Sequence, residues 1–152
     1  MDKIIHIPKF IEDDEDIFNY ILSAVNWSKS NYFKRHVSHY ENNIPKINEI
    51  IINIERSFLR KVIGVFINYY KDGNEYAPYH SDKYNCDTCL VSFGVSRVLR
   101  YKKNSTNETT DFVLDSGDLL FIPDEVNKYY KHSLLKRTKI DKSRISILFF
   151  LQ

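Results

Sequence analysis

The chain has 152 residues, of which 43% are hydrophobic and 14% aromatic, and a formal net charge of +2. That length carries one domain with its own core, so neither a disulfide framework nor a structural metal is required. No apolar run reaches membrane-spanning length and Met1-Asp2-Lys3-Ile4-Ile5-His6 has no signal-peptide pattern, which excludes a membrane partner and predicts a monomeric intracellular protein, cytoplasmic or nuclear.

Residues 1–16 hold six acids against two lysines. The acids Asp13 to Asp16 precede Ile17, Phe18, Ile21, Leu22 and Val25. Helical spacing behind acids at the positive end of the helix dipole predicts an amphipathic helix ending near Trp27. From Ser28 to Asn43 no period is visible, and aromatics alternate with bases: Tyr32, Phe33, Lys34, Arg35, His36, His39 and Tyr40. Such a stretch can stack on bases and neutralise phosphates, or can be a half-buried hairpin. Pro45 then opens a second helix, with Ile47, Ile50, Ile51, Ile54 and Phe58 on the face that packs on a sheet.

From Val62 the character turns to β. Strands are predicted over 62–70, 90–93, 95–101, 112–114, 119–122, 129–133 and 145–151, with a polar turn over 102–110. Two helices followed by many short strands predict an α+β chain with one mostly β core. Cys86 and Cys89 are the two cysteines; with no second ligand pair and no βαβ context they read as incidental loop residues. The segment Lys128 to Lys142 holds Lys128, Lys131, Lys136, Arg137, Lys139 and Lys142 against Asp141, a loop that either holds phosphates or is simply solvated.

The chemistry concentrates where the first long strand ends. In an extended chain, residues two apart share a face, so Asn68 and Tyr70 face one pocket, and His80 and Asp82 face it or an adjoining one. An imidazole and a carboxylate projecting together form two-thirds of a facial site suited to non-haem Fe(II). His39-Tyr40-Glu41 has the same spacing, so the pair alone does not single out a site.

Its company does. Asn68-x-Tyr70, Gly73, His80-x-Asp82, Ser92-Phe93-Gly94, Arg97, Gly117-Asp118, His132 and Arg144 together resemble the AlkB-like family of Fe(II)- and 2-oxoglutarate-dependent dioxygenases over residues 62–150. The resemblance implies a double-stranded β-helix (jelly roll) with two amino-terminal helices packed on the sheet. Residues 1–152 would form one domain, with helical support and a nucleotide-recognition loop in 1–61 and the β core in 62–151. It implies that His80, Asp82 and His132 bind Fe(II), leaving positions for 2-oxoglutarate and O2. Arg144 would hold the distal carboxylate of 2-oxoglutarate, with Asn68 and Tyr70 as further cosubstrate contacts. Tyr84, Arg97, Tyr40 and His39 would face the substrate, alkylated DNA or RNA, whose N-methyl group is oxidised.

Two positions depart from the family's pattern. Where a second arginine is usual, six residues after Arg144 and on the same face, this chain has Phe150, which forms no ion pair. Two residues after Asp82, where DNA-repair members tend to carry an acid, it has Tyr84. Tyr84 favours a rival reading, an oxygenase acting on a protein or small molecule. Phe150 motivates another, a nucleic-acid-binding module that kept the fold without turnover.

Overall fold

The computed structural model describes residues 3–30, 33, 35–39 and 44–152. Helix α1 spans Asp14–Ala24 and helix α2 spans Pro45–Phe58. Acids fill the first turn of α1, and Pro45 opens α2 at a position whose N–H has no intrahelical partner in any case. α1 stops at Ala24 rather than near Trp27, because Val25 is already extended; the Trp27 indole donates back to the carbonyl of Leu22 at 3.2 Å. No described helix is long and apolar enough to cross a membrane.

Eleven strands are described: β1 Ile5–Ile7, β2 Ser28–Lys29, β3 His36–His39, β4 Val62–Tyr70, β5 Ala77–His80, β6 Asp87–Gly94, β7 Arg97–Lys103, β8 Thr109–Leu114, β9 Leu119–Ile122, β10 Tyr130–Leu134 and β11 Arg144–Leu151. A short helix, α3, spans Val126–Tyr129. The strands form a seven-stranded sheet, β1-β9-β6-β11-β4-β3-β2, and a four-stranded sheet, β5-β10-β7-β8, with every pairing antiparallel. Two such sheets face to face make the jelly-roll arrangement.

Strand alternation divides the molecule into two packed layers. On β11, Ile145, Ile147 and Phe149 join Cys89, Val91 and Phe93 of β6 and the buried isoleucines of α1 and α2 in one cluster. Leu148, from the opposite face, joins Leu90, Leu99, Tyr101, Leu114, Leu120 and Ile122 between the sheets. The face that turns away from the helices therefore carries Arg144 and Ser146 inward, and this is what builds the site.

Several expectations change. β7 begins at Arg97, two residues late, because Gly94 turns the chain at φ +91°, where a Cβ would meet the Ser143 carbonyl oxygen at 2.4 Å. The polar turn is shorter than 102–110, since Lys102 pairs with Thr109. Cys89 lies in a strand rather than a loop, and burial pushes its thiol up to about 12, so it is an inert core residue. Asp118 accepts the backbone N–H groups of Lys9 and Asp115 and pairs with His6 at 2.9 Å, which anchors the amino-terminal segment to the sheet.

The basic stretch after β10 is built in. The Gly73 N–H donates to the Ile140 carbonyl and the Arg137 N–H donates to the Gly73 carbonyl, both at 2.8 Å. A Cβ at Gly73 would stand 1.7 Å from the Arg137 carbonyl oxygen. Gly73→Ala is therefore expected to lower stability by about 3 kcal/mol, which a thermal melt reads as a fall in Tm of about 10 °C.

Candidate active site

β5 and β10 pair so that His80 stands directly opposite His132, with ring centroids 4.3 Å apart. Asp82 follows β5 by two residues and points its carboxylate between them. Its oxygens lie 3.4 Å from His80 Nε2 and 3.2 Å from His132 Nε2. One donor atom from each of the three residues lies within 4.8 Å of the other two, the spacing of a group that could share one metal ion.

Local bonds fix these side chains. His80 Nδ1 is 2.7 Å from the carbonyl of Pro78, which can only accept; Nδ1 is therefore committed to the backbone and Nε2 is the nitrogen that faces the site. Asn127, from α3, accepts the Asp82 N–H at 3.1 Å, and the Ser81 hydroxyl donates to the Tyr130 carbonyl at 3.0 Å. Burial alone would raise the Asp82 carboxyl, but hydrogen bonds and charge from His132 and His80 hold it well below the usual carboxylate range.

Beside this group the cavity turns cationic. Arg144 is 2% exposed, and its Nε donates to the Ser92 hydroxyl at 2.9 Å. Its guanidinium lies 5.5 Å from the centre of the Tyr70 ring. Among the described residues no carboxylate pairs with it, and burial pushes it down to about 10. Asn68 donates to Ser146 at 3.4 Å, while its Oδ1 and the Tyr101 hydroxyl are buried without partners. A buried cation with no anion and two orphaned polar atoms in one cavity fit a small polar acid that brings its own carboxylates. The residues present therefore fit both Fe(II) and 2-oxoglutarate.

The expected substrate contacts divide. Tyr84 lines the cavity and packs on Phe150, with centroids 4.5 Å apart and planes at 52°. Phe150 thus sits at the rim, continuing the face of Arg144, Ser146 and Leu148, and brings an apolar ring where the family pattern has a cation. Arg97 is not among the cavity's lining residues. It is 1% exposed and donates to the carbonyls of Asp72, Glu75 and Leu135 at 2.9 to 3.3 Å, bolting the β4–β5 turn to the segment after β10. His39 lies in β3 opposite Phe66, with its side chain outside the described residues; Tyr40 lies outside them altogether. Of the cavity's polar residues, Thr88, Tyr101, Asn127 and Ser146 were not anticipated, and Arg35 comes from the basic and aromatic stretch read as able to meet nucleic acid. Tyr101 shares a strand face with Leu99 and could have been found from alternation; Asn127 carries no signal of its own.

The fold and the site are those of a 2-oxoglutarate- and Fe(II)-dependent dioxygenase domain. Residues 61–149 match the model of the 2OG-Fe(II) oxygenase superfamily, and the chain belongs to it. Its cofactors are accordingly Fe(II), with 2-oxoglutarate and O2 as cosubstrates. An uncharacterized protein, R406, of Acanthamoeba polyphaga mimivirus is 32% identical over 108 residues, covering 64% of this chain and 56% of that one. The chain thus spans little more than half the length of that relative. In fold it is similar to a prolyl hydroxylase from Trichoplax adhaerens, solved in complex with a hypoxia inducible factor oxygen degradation domain peptide fragment. The TM-score is 0.73 at 12% identity, over 97% of this chain and 83% of that one.

Proposed function

We propose that this domain is an AlkB-like enzyme that oxidatively demethylates N-alkylated bases in DNA or RNA. The observation that carries the reading is a groove beside the cavity. It is lined by Lys29, Arg35 and His36 from the first basic segment, by Lys71, and by Lys136 from the second. Two segments about a hundred residues apart in sequence thus bring cations to one edge of the site. Of the acids there, Asp72 accepts the Asn74 N–H, and Glu75 accepts the Lys71 N–H and stands 3.8 Å from His36 Nδ1. A cationic groove leading to a cavity rimmed by Tyr84 and Phe150 suits a phosphodiester backbone with one base extruded inward.

His80, Asp82 and His132 hold Fe(II), and Arg144 holds the distal carboxylate of 2-oxoglutarate, with Asn68, Tyr70 and Tyr101 around the cosubstrate. The bound iron supplies oxidative decarboxylation of 2-oxoglutarate to succinate and CO2, coupled to oxygen insertion into a substrate C–H bond. An N-methyl group so hydroxylated breaks its C–N bond to leave formaldehyde and an N–H base, so one O2 and one 2-oxoglutarate are consumed per methyl group. Asn127, which fixes the Asp82 backbone, positions a metal ligand without touching the metal. Asn127→Ala is expected to weaken Mn(II) binding roughly 10- to 100-fold, measured calorimetrically.

A second reading, hydroxylation of a protein side chain, is supported by Tyr84, an uncharged phenol where an acid would recognise a base's exocyclic amine. One experiment separates the two. Oligonucleotides carrying 1-methyladenine or 3-methylcytosine are incubated with the protein, Fe(II), ascorbate and 2-oxoglutarate, then weighed by mass spectrometry beside a His80→Ala control. Loss of 14 Da per modified base, the net mass of a CH2 unit, only with His80 intact supports demethylation. Succinate formation without that loss contradicts it and favours the protein substrate.

A further inference from the structure

Phe33 and Arg35, which lie between β2 and β3, approach the cavity. The Phe33 ring lies 4.8 Å from the His80 ring, against the proposed metal site. Arg35 lies behind it, with its guanidinium 4.5 Å from the centre of the Phe33 ring and 6.0 Å from that of Tyr70. Tyr70 is the same ring that Arg144 approaches at 5.5 Å and Arg97 at 5.7 Å, so three guanidinium groups converge on one aromatic side chain, of which Arg35 and Arg144 line the cavity. Arg35 lines both the cavity and the basic groove.

Arg35 has no carboxylate partner among the described residues, and its Nε is buried without a hydrogen-bond acceptor. A buried guanidinium N–H left unpaired is costly in a folded protein, and Arg35 is among the residues that line the cavity. The cavity's single carboxylate, Asp82, is already engaged by two imidazoles. Two cations against one committed anion leave the cavity with the capacity for a second oxyanion beyond the one that Arg144 takes. Position 150, on the face of Arg144, supplies no further cation, since it holds a phenyl ring packed against Tyr84.

We infer that Arg35, which lies between β2 and β3, is an oxyanion-binding residue of the active site and holds a carboxylate or phosphate bound in the cavity. The inference rests on the reading of the cavity as the cosubstrate site. The same chemistry has two sources: the second carboxylate of the cosubstrate, or a phosphate of the substrate at the cavity's junction with the groove. Planar, forked donors suit either one, and Arg35→Lys would keep the charge while losing the fork.

The test uses the full chain loaded with Mn(II), in wild-type, Arg35→Gln and Arg35→Lys forms, with thermal melts to establish equal folding. Calorimetric titrations use two probes, N-oxalylglycine as a non-reactive cosubstrate analogue and a single-stranded 12-mer oligothymidylate. Losing a charge-assisted pair should weaken one probe by about tenfold or more in Arg35→Gln, with part of the loss recovered in Arg35→Lys. Weakening of N-oxalylglycine assigns the oxyanion to the cosubstrate, and weakening of oligothymidylate alone assigns it to the substrate. Wild-type affinity for both probes in Arg35→Gln would overturn the inference. So would a lysine form as damaged as the glutamine form, which would make Arg35 a packing residue of the segment between β2 and β3. A wild-type protein that binds N-oxalylglycine but no oligothymidylate would fail the nucleic-acid reading while leaving the Arg35 result interpretable.

Discussion

Replacing His132 with alanine is expected to remove 2-oxoglutarate turnover, with succinate formation falling by more than about 100-fold. Changes in residues that merely orient a metal ligand typically cost 10- to 100-fold, so the loss of a ligand should exceed that range. The geometry gives the reason. His132 is 8% exposed and its Nε2 stands 3.2 Å from Asp82, so no neighbouring side chain can replace it without moving a strand. Because the side chain is a ring packed between Tyr101 and His80, alanine also leaves a void, and a Tm lower by several degrees is expected. The two effects separate by elemental analysis of the purified protein. Iron in the wild type and none in a folded His132→Ala protein is the expected outcome; equal iron content in both would remove His132 from the metal site.

Arg144→Met should divide stability from function. Burial lowers the Arg144 guanidinium from 12.5 to about 10, which amounts to an unfavourable contribution of about 3 kcal/mol at neutral pH. The sign follows from the proton count. Below about pH 10 both folded and unfolded chains hold the proton and the penalty is present in full. As pH rises from there toward 12.5 the unfolded chain binds more protons than the folded one, so this residue's destabilising effect fades. A buried cation replaced by an apolar side chain of similar reach is often neutral or stabilising. The methionine protein without ligand should therefore melt no lower than wild type. Its affinity for 2-oxoglutarate should fall on the order of 100-fold, the scale of removing one partner from a buried charge pair. In wild type, 2-oxoglutarate at 100 times its Kd should add about 2.7 kcal/mol of stability, and the variant at the same concentration should gain almost none. A variant that melts lower and still binds 2-oxoglutarate would make Arg144 a structural cation.

His132 and Arg144 were legible through the resemblance to a known family, since β11 is buried on both faces and no alternation marks Arg144. The spacing of His80-x-Asp82, by contrast, places two donors on one side of an extended chain by itself. What the sequence hid is shorter. β1, β2 and β5 have three, two and four residues, too few for a period of two to show. β5 even contains Pro78, which is tolerated because the strand lies at the edge of its sheet. Arg97 shows the limit of a face argument. It lies on the buried side of β7 with Leu99 and Tyr101. Yet β10 pairs His132 with Tyr101 and Leu134 with Leu99, so Arg97 falls beyond the cavity's end and satisfies carbonyls instead. Alternation gives the face, and only the pairing register gives the height along it.

The most direct test of the site as one unit is the coupling between metal and cosubstrate. Mn(II) is titrated into the protein without oxygen, with and without 2-oxoglutarate, and free Mn(II) is followed by electron paramagnetic resonance. If His80, Asp82 and His132 share a metal beside the Arg144 cation, one Mn(II) binds per chain and 2-oxoglutarate tightens it. By linkage, Mn(II) must tighten 2-oxoglutarate by the same factor. Mn(II) bound with the same affinity in the presence and absence of 2-oxoglutarate, or no Mn(II) bound at all, would contradict the account.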